Sequence, residues 1–212
     1  MLASSSSLFV LMGGINPVRA AVLIGNLPQT NDNSPATTRS TDVRAFSFTL
    51  PAGNNYSLDN AILRLSGYDA TESLRIQIRD DNGGSNPGST VLASFTSPVG
   101  QGAANFSYTF TPTSPFTFNA GTKYWLYFQP ISGTVTWRGS NPPEALTGIA
   151  TFTNNRVSNN SGATFANVTF VGSFQINATE IAGPVASTPE PGAIAALSLF
   201  GLGLLGVKGR RN

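Results

Sequence analysis

The chain has 212 residues, 40% of them hydrophobic, which is enough for one compact domain with a hydrophobic core. Cysteine and histidine are both absent, which excludes disulfide bonds, Ser-His-Asp and Cys-His catalytic systems, and the usual zinc sites. The formal charge of +2 arises at the two ends, because residues 21–188 contain eight basic and nine acidic side chains. This near-neutral region has no basic patch, so we expect no nucleic-acid partner.

The N-terminal segment has the layout of a secretory signal peptide. A short apolar core from Leu8 to Met12 is followed by Gly13, Gly14 and Pro17, which break a helix, and then by Val18-Arg19-Ala20. We therefore predict a signal peptide over residues 1–20 that is cleaved after Ala20. The basic residue that usually precedes such a core is missing. The true start codon could therefore lie upstream of Met1. A disordered arm or a buried first strand is the alternative.

From Val22 to Ile181 the sequence consists of short alternating runs separated by turn residues. The clearest runs are SLRIQIRDD at 73–81 and NFSYTFTP at 105–112, in which apolar and polar side chains alternate as they do in half-buried strands. The residues predicted to face the core are Leu74, Ile76, Ile78, Phe106, Tyr108 and Phe110.

Seven further runs have strand character, and glycine, proline and asparagine clusters such as DNGGSNPGS and SNPPE mark the turns between them. About ten short strands over roughly 160 residues indicate an all-β fold. We predict an antiparallel β-sandwich of jelly-roll type over residues 21–182, followed by a linker over 183–188. The seven runs are RAFSFTL, AILRLSG, TVLASFT, KYWLYFQ, TVTWRGS, IATFTN and ATFANVTFVGSFQI.

One glycine-rich turn contains oxygen ligands of the kind that calcium prefers. Asp80, Asp81 and Asn82 lie in it, and Asp69 and Glu72 end the preceding loop. The spacing departs from that of an EF-hand, and Asp and Asn side chains also stabilise turns without an ion. Calcium is therefore one candidate cofactor, and a purely structural turn is the alternative.

Aromatic side chains on two of the predicted strands could stack on sugar rings. Trp125, Tyr127 and Trp137 are the candidates for glycan binding, with Tyr124 beside them. However, both faces of the run KYWLYF are aromatic or apolar, which is also typical of a strand buried on both sides or packed under a loop. Paired carboxylates could hydrolyse glycosides without histidine, but the scattered acids form no distinctive pair. We therefore expect no enzymatic activity.

The C-terminal segment has three parts: Pro189-Glu190-Pro191, an uncharged glycine-rich stretch, and the basic residues Lys208, Arg210 and Arg211. The uncharged stretch is near the lower length limit for a membrane-spanning helix. We predict a transmembrane helix over 192–207, with the basic residues in the cytoplasm and the domain on the other side.

These three parts, in this order, resemble the PEP-CTERM sorting signal of Gram-negative bacteria, which would occupy residues 189–212. The resemblance implies recognition by an exosortase, a membrane-embedded protease-transpeptidase, and removal of the tail near Pro189-Glu190-Pro191. It also implies export, in bacteria that make exopolysaccharide, biofilm or floc. A plain C-terminal membrane anchor is the alternative.

The region from FSFTLPAGNNYSLDNAILRLSGYD to FTFNAGTKYWLYFQP resembles the choice-of-anchor domains, most nearly type R. The resemblance rests on the strand before Pro87-Gly88, on that step as a turn followed by Val91-Leu92, and on the segment Ala120 to Leu126. It implies a surface module without catalytic residues.

Taken together, the residues and the two resemblances predict an exported, non-enzymatic protein of the cell surface or extracellular matrix. Its expected partners are an exosortase, the membrane before processing, and exopolysaccharide or other matrix components. The alternatives are a carbohydrate-binding module that uses exposed aromatic rings and a calcium-dependent adhesin.

Overall fold

The computed structural model describes residues 20–181, which form thirteen β-strands. Within this range there is no helix, and hence none that could cross a membrane. The predicted signal peptide, apart from Ala20, and the predicted linker and transmembrane helix lie outside the described residues. The strands are β1 (Ala20–Gly25), β2 (Ser34–Arg39), β3 (Val43–Thr49), β4 (Asn55–Ser66), β5 (Ser73–Asp81), β6 (Pro87–Thr96), β7 (Phe106–Pro112), β8 (Thr117–Phe118), β9 (Lys123–Ser132), β10 (Thr134–Gly139), β11 (Thr151–Ser158), β12 (Ala166–Asn167) and β13 (Phe174–Ile181).

The strands are hydrogen-bonded along one path in the order β1-β13-β4-β7-β6-β5-β9-β3-β11-β12. Strand β10 pairs with both β2 and β4, and β8 also pairs with β4. All of these pairs are antiparallel. The predicted all-β, antiparallel class is therefore confirmed, whereas the sandwich and jelly-roll assignments stay predictions.

The hydrophobic core joins strands that are distant along this path. Trp137 on β10 has its ring centroid 5.0 Å from that of Phe46 on β3 and 4.9 Å from that of Phe128 on β9. Phe174 on β13 lies 5.3 Å from Phe46. Because burial of large aromatic rings is a major source of stability, this cluster holds the distant parts of the path together.

The predicted inward face of β5 and β7 is confirmed for five of its six residues. Leu74, Ile76, Ile78, Tyr108 and Phe110 are all buried. The sixth, Phe106, is only partly buried, because it is the first residue of β7 and packs against the margin of the core.

The turn between β5 and β6 is shorter than the sequence predicts. Pro87 and Gly88, expected in a turn, are instead the first two residues of β6, and Pro87 pairs with Asp81. Proline is tolerated at the first position of a strand, where it interrupts no ladder. The side chain of Asp80 lies so close to position 88 that only glycine fits there, because a Cβ atom would lie 2.1 Å from Oδ1 of Asp80.

The first and last described strands are neighbours. Ala20 and Ala21 of β1 pair with Thr179 and Ala178 of β13, and β13 pairs along its other side with β4. The run predicted as a strand over 163–176 is divided, since β12 has only two residues and β13 extends to Ile181. Both ends of the described chain therefore leave the same end of the domain.

Candidate functional site

The sorting segment predicted at Pro189, Glu190, Pro191, Lys208, Arg210 and Arg211 lies outside the described residues. The structure does show where the chain leaves the domain toward it. Ile181, the last residue of β13, pairs with Asn55 at the start of β4. Seven residues, 182–188, separate Ile181 from Pro189. A short stretch of sequence thus joins the sorting segment to β13, which lies between β1 and β4 in the strand order.

The side chain of Trp137, predicted to contact sugar, lies in the core. Its exposed fraction is 0%, and its indole Nε1 donates a hydrogen bond of 3.0 Å to the backbone carbonyl of Ser173. The neighbouring chain is very close, since a Cβ atom at Gly172 would lie 2.5 Å from the indole ring. With both faces of the ring covered by protein, Trp137 packs the core.

The side chains of Trp125 and Tyr127 lie on the opposite face of β9 from the core. Residues Tyr124, Leu126 and Phe128 belong to the core cluster, and the alternating Trp125 and Tyr127 point the other way. Both are nevertheless buried, with exposed fractions of 0% and 2%. The prediction that this strand is buried on both faces is confirmed.

Basic side chains cover the outer face of β9. The guanidinium of Arg79 lies 3.7 Å from the ring centroid of Tyr127, and the Lys123 Nζ lies 5.1 Å from that of Trp125. Such cation–π contacts are stabilising, and they fill the ring faces that a sugar would need. The buried positions of Trp125, Tyr127 and Trp137 therefore favour packing over a sugar-stacking platform.

The turn between β5 and β6 completes this cover. Lys123 donates from Nζ to the carbonyl of Gly84 at 3.2 Å, and Arg156 on β11 donates from Nε to the carbonyl of Ser85 at 2.5 Å. Two basic side chains from other strands thus hold the turn over the sheet.

The three candidate calcium ligands all accept hydrogen bonds from the protein. Asp80 and Asp81, expected in the turn, are instead the last two residues of β5, and Asn82 follows them. Asp80 Oδ1 accepts from the backbone N–H of Thr90 at 3.0 Å, and Asn82 Oδ1 accepts from that of Gly84 at 2.9 Å. Asp81 Oδ1 accepts from Trp125 Nε1 at 2.8 Å and lies 2.9 Å from Lys123 Nζ. These are the contacts of a stabilised turn, and a positive charge already occupies the place beside Asp81.

The electrostatics of Asp81 follow from these partners. Burial alone would raise the pKa of its carboxyl group, but hydrogen bonds from Lys123 and Trp125 outweigh burial and hold the pKa below its ordinary value of 3.8. The carboxylate is therefore charged at neutral pH. Within residues 20–181, no group of three or more His, Cys, Asp or Glu side chains is placed so that it could hold a metal ion.

A polar network around Asp32 could not be predicted from the sequence. Arg64 on β4 donates to both carboxylate oxygens of Asp32, at 3.1 Å from Nε and 2.7 Å from Nη2. Asn105 and Gln29 also donate to Asp32, at 3.0 Å each. The hydrogen bonds from Arg64 are the main reason that the pKa of Asp32 is lowered. This network fastens the loop between β1 and β2 to the outer side of β4.

A shallow pocket of about 240 Å³ lies beside the loop that follows β11. Ser161 in this loop has a φ of 57°, the left-handed conformation that non-glycine residues rarely adopt. The pocket is uncharged, and its amide and hydroxyl groups are largely used within the loop, for example between Asn160 and Thr164 at 2.9 Å. Its lining residues are Val157, Ser158, Asn159, Asn160, Thr164, Phe165 and Ala166.

Comparison with known protein families gives one finding, at the C-terminus. Residues 187–212 match the family described as "PEP-CTERM protein-sorting motif". No curated protein matches the chain at a significant level. The matched range contains all six residues predicted to form the sorting signal. The chain therefore carries the PEP-CTERM sorting motif, which implies exosortase-dependent sorting to the cell surface of a Gram-negative bacterium.

Proposed function

We propose that this protein is an exported, non-enzymatic component of the cell surface or extracellular matrix, delivered by an exosortase and associated with exopolysaccharide or biofilm. The observation that carries the proposal is the sorting motif at residues 187–212. In this account the signal peptide 1–20 starts export, the segment 192–207 holds the chain in the membrane, and the exosortase cuts near Pro189-Glu190-Pro191.

The described domain supports a structural or binding role. Its nine acidic side chains include Asp32 and Asp81, which pair with Arg64 and Lys123, and Asp80, which accepts a turn hydrogen bond. The sequence also lacks histidine and cysteine, the usual general base and thiol nucleophile. We therefore assign no catalytic residues and no cofactor, in keeping with the resemblance to choice-of-anchor domains.

The residues named for the glycan-binding and calcium alternatives have partners within the protein. The rings of Trp125, Tyr127 and Trp137 are buried, and the oxygens of Asp80, Asp81 and Asn82 accept hydrogen bonds within the protein. We therefore propose that contact with matrix polymers uses the exposed loops and strand faces of the domain.

The experiment that tests the proposal compares surface delivery of two variants in the host. In the first, Pro189, Glu190 and Pro191 are all replaced by alanine. In the control, alanine replaces Gly183, Pro184 and Val185, which precede the matched motif. We expect the first variant to keep its tail in the inner membrane and the control to reach the surface like the natural protein. Surface delivery of both variants at the natural level would contradict a role for the PEP step.

A further inference from the structure

Two basic side chains share the outer face of β5. Arg75 and Arg79 alternate with buried isoleucines, so both leave the strand on the side away from the core. Arg75 is exposed. Arg79 reaches back along the strand, because its Nε and Nη2 donate to Oε1 of Gln77 at 3.0 Å and 2.9 Å. The guanidinium of Arg79 is thereby drawn toward Arg75.

Two side chains of the neighbouring strand β9 hold these arginines in place. The guanidinium of Arg79 lies over the ring of Tyr127, which is the ladder partner of Gln77. Nη1 of Arg75 donates to Oε1 of Gln129 at 3.0 Å, and the hydroxyl of Tyr127 lies 3.3 Å from the same oxygen. Both guanidinium groups are thus positioned before a ligand arrives, which lowers the entropy cost of binding.

Acidic side chains do not neutralise this pair of arginines. The two salt bridges found within residues 20–181 involve Arg64 and Lys123, and neither arginine of β5 takes part in one. Burial lowers the pKa of Arg79, and the positive charge of Arg75 lowers it further. Asp80, whose charge opposes this effect, accepts a hydrogen bond of 3.0 Å from a backbone N–H of β6. The outer face of β5 therefore carries unbalanced positive charge on a nearly neutral domain.

The polar groups that this face offers to a ligand are hydrogen-bond donors. Arginine has several N–H donors and no acceptor, and the contacts with glutamine occupy only part of those of Arg75 and Arg79. Because Oε1 of Gln77 is occupied by Arg79, the Nε2 amide is the group that Gln77 can present. A planar guanidinium matches the two oxygens of a carboxylate, and an amide N–H suits a hydroxyl oxygen. The set of groups fits a sugar acid.

We propose that the outer face of β5 binds an acidic polysaccharide, with Arg75 and Arg79 contacting its carboxylates and Gln77 its hydroxyl groups. The three side chains lie at every second residue, with Cα atoms about 6.4–6.8 Å apart, so an extended polymer can follow the strand. The inference rests on the proposed function for the choice of a polysaccharide, and it adds the charge of the polymer and the residues that hold it. The rings of Trp125 and Tyr127 stay covered, because binding uses the charges above them.

Isothermal titration calorimetry of the natural protein with oligogalacturonate, at low ionic strength, tests the inference. Methyl-esterified oligogalacturonate is the control ligand, because it keeps the sugar chain and lacks the charges. Poly-L-glutamate presents carboxylates on a protein chain instead. Arg75→Gln is the test variant, and Arg39→Gln is its matched control, because Arg39 is also exposed and its loss changes the net charge equally.

We expect oligogalacturonate to bind the natural protein, and added salt to weaken binding because it screens exposed charges. Arg75→Gln should raise the Kd about fivefold, the upper range for one exposed ion pair. Arg39→Gln should leave the Kd unchanged. Replacing both Arg75 and Arg79 by glutamine should abolish detectable binding, with circular dichroism as the check that the domain remains folded.

Three results would overturn the inference: no binding of oligogalacturonate to the natural protein, equal binding of its methyl ester, or equal weakening by Arg39→Gln and Arg75→Gln. Equal or tighter binding of poly-L-glutamate would overturn the choice of a polysaccharide and point to an acidic protein partner. Arg75→Gln remains decisive if the double variant does not fold, because Arg75 is exposed. Surface delivery is measured separately, so its failure would contradict the proposed function while leaving the binding result in place.

Discussion

Trp125 and Asp81 are joined by a hydrogen bond of 2.8 Å from the indole Nε1 to the carboxylate Oδ1, across 44 positions of the chain. The carboxylate also lies 2.9 Å from the Nζ of Lys123. Through these contacts, the turn after β5 closes over the outer face of β9. A face rich in aromatic rings, which could have been a binding surface, is thereby part of the interior.

The first prediction concerns this contact. Replacing Trp125 by phenylalanine removes the indole donor but keeps an aromatic ring, so the carboxylate of Asp81 loses one hydrogen bond. We expect the free energy of unfolding at pH 7 to fall by about 1.5–3 kcal/mol, the usual value for hydrogen bonds to charged groups. Urea denaturation followed by circular dichroism measures it.

A double-mutant cycle with Asp81→Ala provides the control, because alanine cannot accept the indole hydrogen bond. If the two side chains interact as the structure shows, the double variant is more stable than the sum of the single effects predicts. Strict additivity of the two changes would contradict the contact.

The second prediction concerns the pH dependence of the pair Asp32–Arg64. The hydrogen bonds from Arg64 lower the pKa of Asp32 below 3.8 in the folded protein. A group with a lowered folded-state pKa stabilises the protein above its unfolded pKa, and this stabilisation is lost as the pH falls through the folded pKa. We therefore expect coupling between Asp32→Asn and Arg64→Gln at pH 7, and its loss on acidification below pH 3.8.

Unfolding free energies of the two single variants and the double variant, measured across this pH range, give the coupling at each pH. The pair is only partly buried, with side-chain exposures of 18% and 21%, so solvent screening limits its contribution to about 1–2 kcal/mol. A coupling that stays constant down to pH 2 would show that the carboxylate does not carry the interaction.

The third prediction concerns the core face of β5. Ile76 has an exposed fraction of 1%, and an aspartate there would bury an unpaired carboxylate. The cost is several kcal/mol, comparable with the total stability of about 5–15 kcal/mol of a typical domain. We therefore expect Ile76→Asp to unfold the domain, as seen by loss of the thermal transition.

Thr109→Asp on β7 is the matched control, because the side chain of Thr109 is exposed between the buried Tyr108 and Phe110. The free energy of unfolding of this variant should fall by no more than about 1 kcal/mol, the range of strand propensities. Equal melting of Ile76→Asp and the natural protein would show that the inward face of β5 is assigned incorrectly.

The fourth prediction concerns the two tryptophans, which are both 0% exposed. Iodide in solution should quench their fluorescence little in the folded protein and strongly in denaturant. The host's own polysaccharide, added at saturating concentration, should leave the spectrum of the folded domain unchanged. A glycan-dependent spectral shift would restore the hypothesis that Trp125 or Trp137 contacts sugar.

The strands that could be predicted are those whose own sequence carries the signal. The alternation in SLRIQIRDD gives the bounds of β5 and its inward face, because one side of the strand is buried and the other is not. The double-sided apolar pattern of KYWLYF likewise indicated burial of both faces of β9. The strand β2, with the sequence SPATTR, cannot be predicted in this way because it is polar and contains a proline.

The remaining features depend on residues far apart in the sequence. Asp32 and Arg64 are 32 positions apart, and nothing in either neighbourhood indicates that they meet. The cover over Trp125 comes from Lys123 and from the turn after β5, and the pattern of KYWLYF does not identify either of them as the covering group. For the sorting motif the opposite is true, because a continuous stretch of residues carries it and the family match covers the same stretch.

We propose that the C-terminal tail is a sorting signal that an exosortase removes. The most direct test is the intact mass of the protein isolated from its host, in cells with and without an active exosortase. When the exosortase is active, we expect a mature form that begins at Ala21 and ends near Pro189-Glu190-Pro191. When it is inactive, we expect a form that keeps the tail through Asn212. Recovery of the intact tail from the membrane of cells with an active exosortase would contradict the account and identify the segment as an anchor.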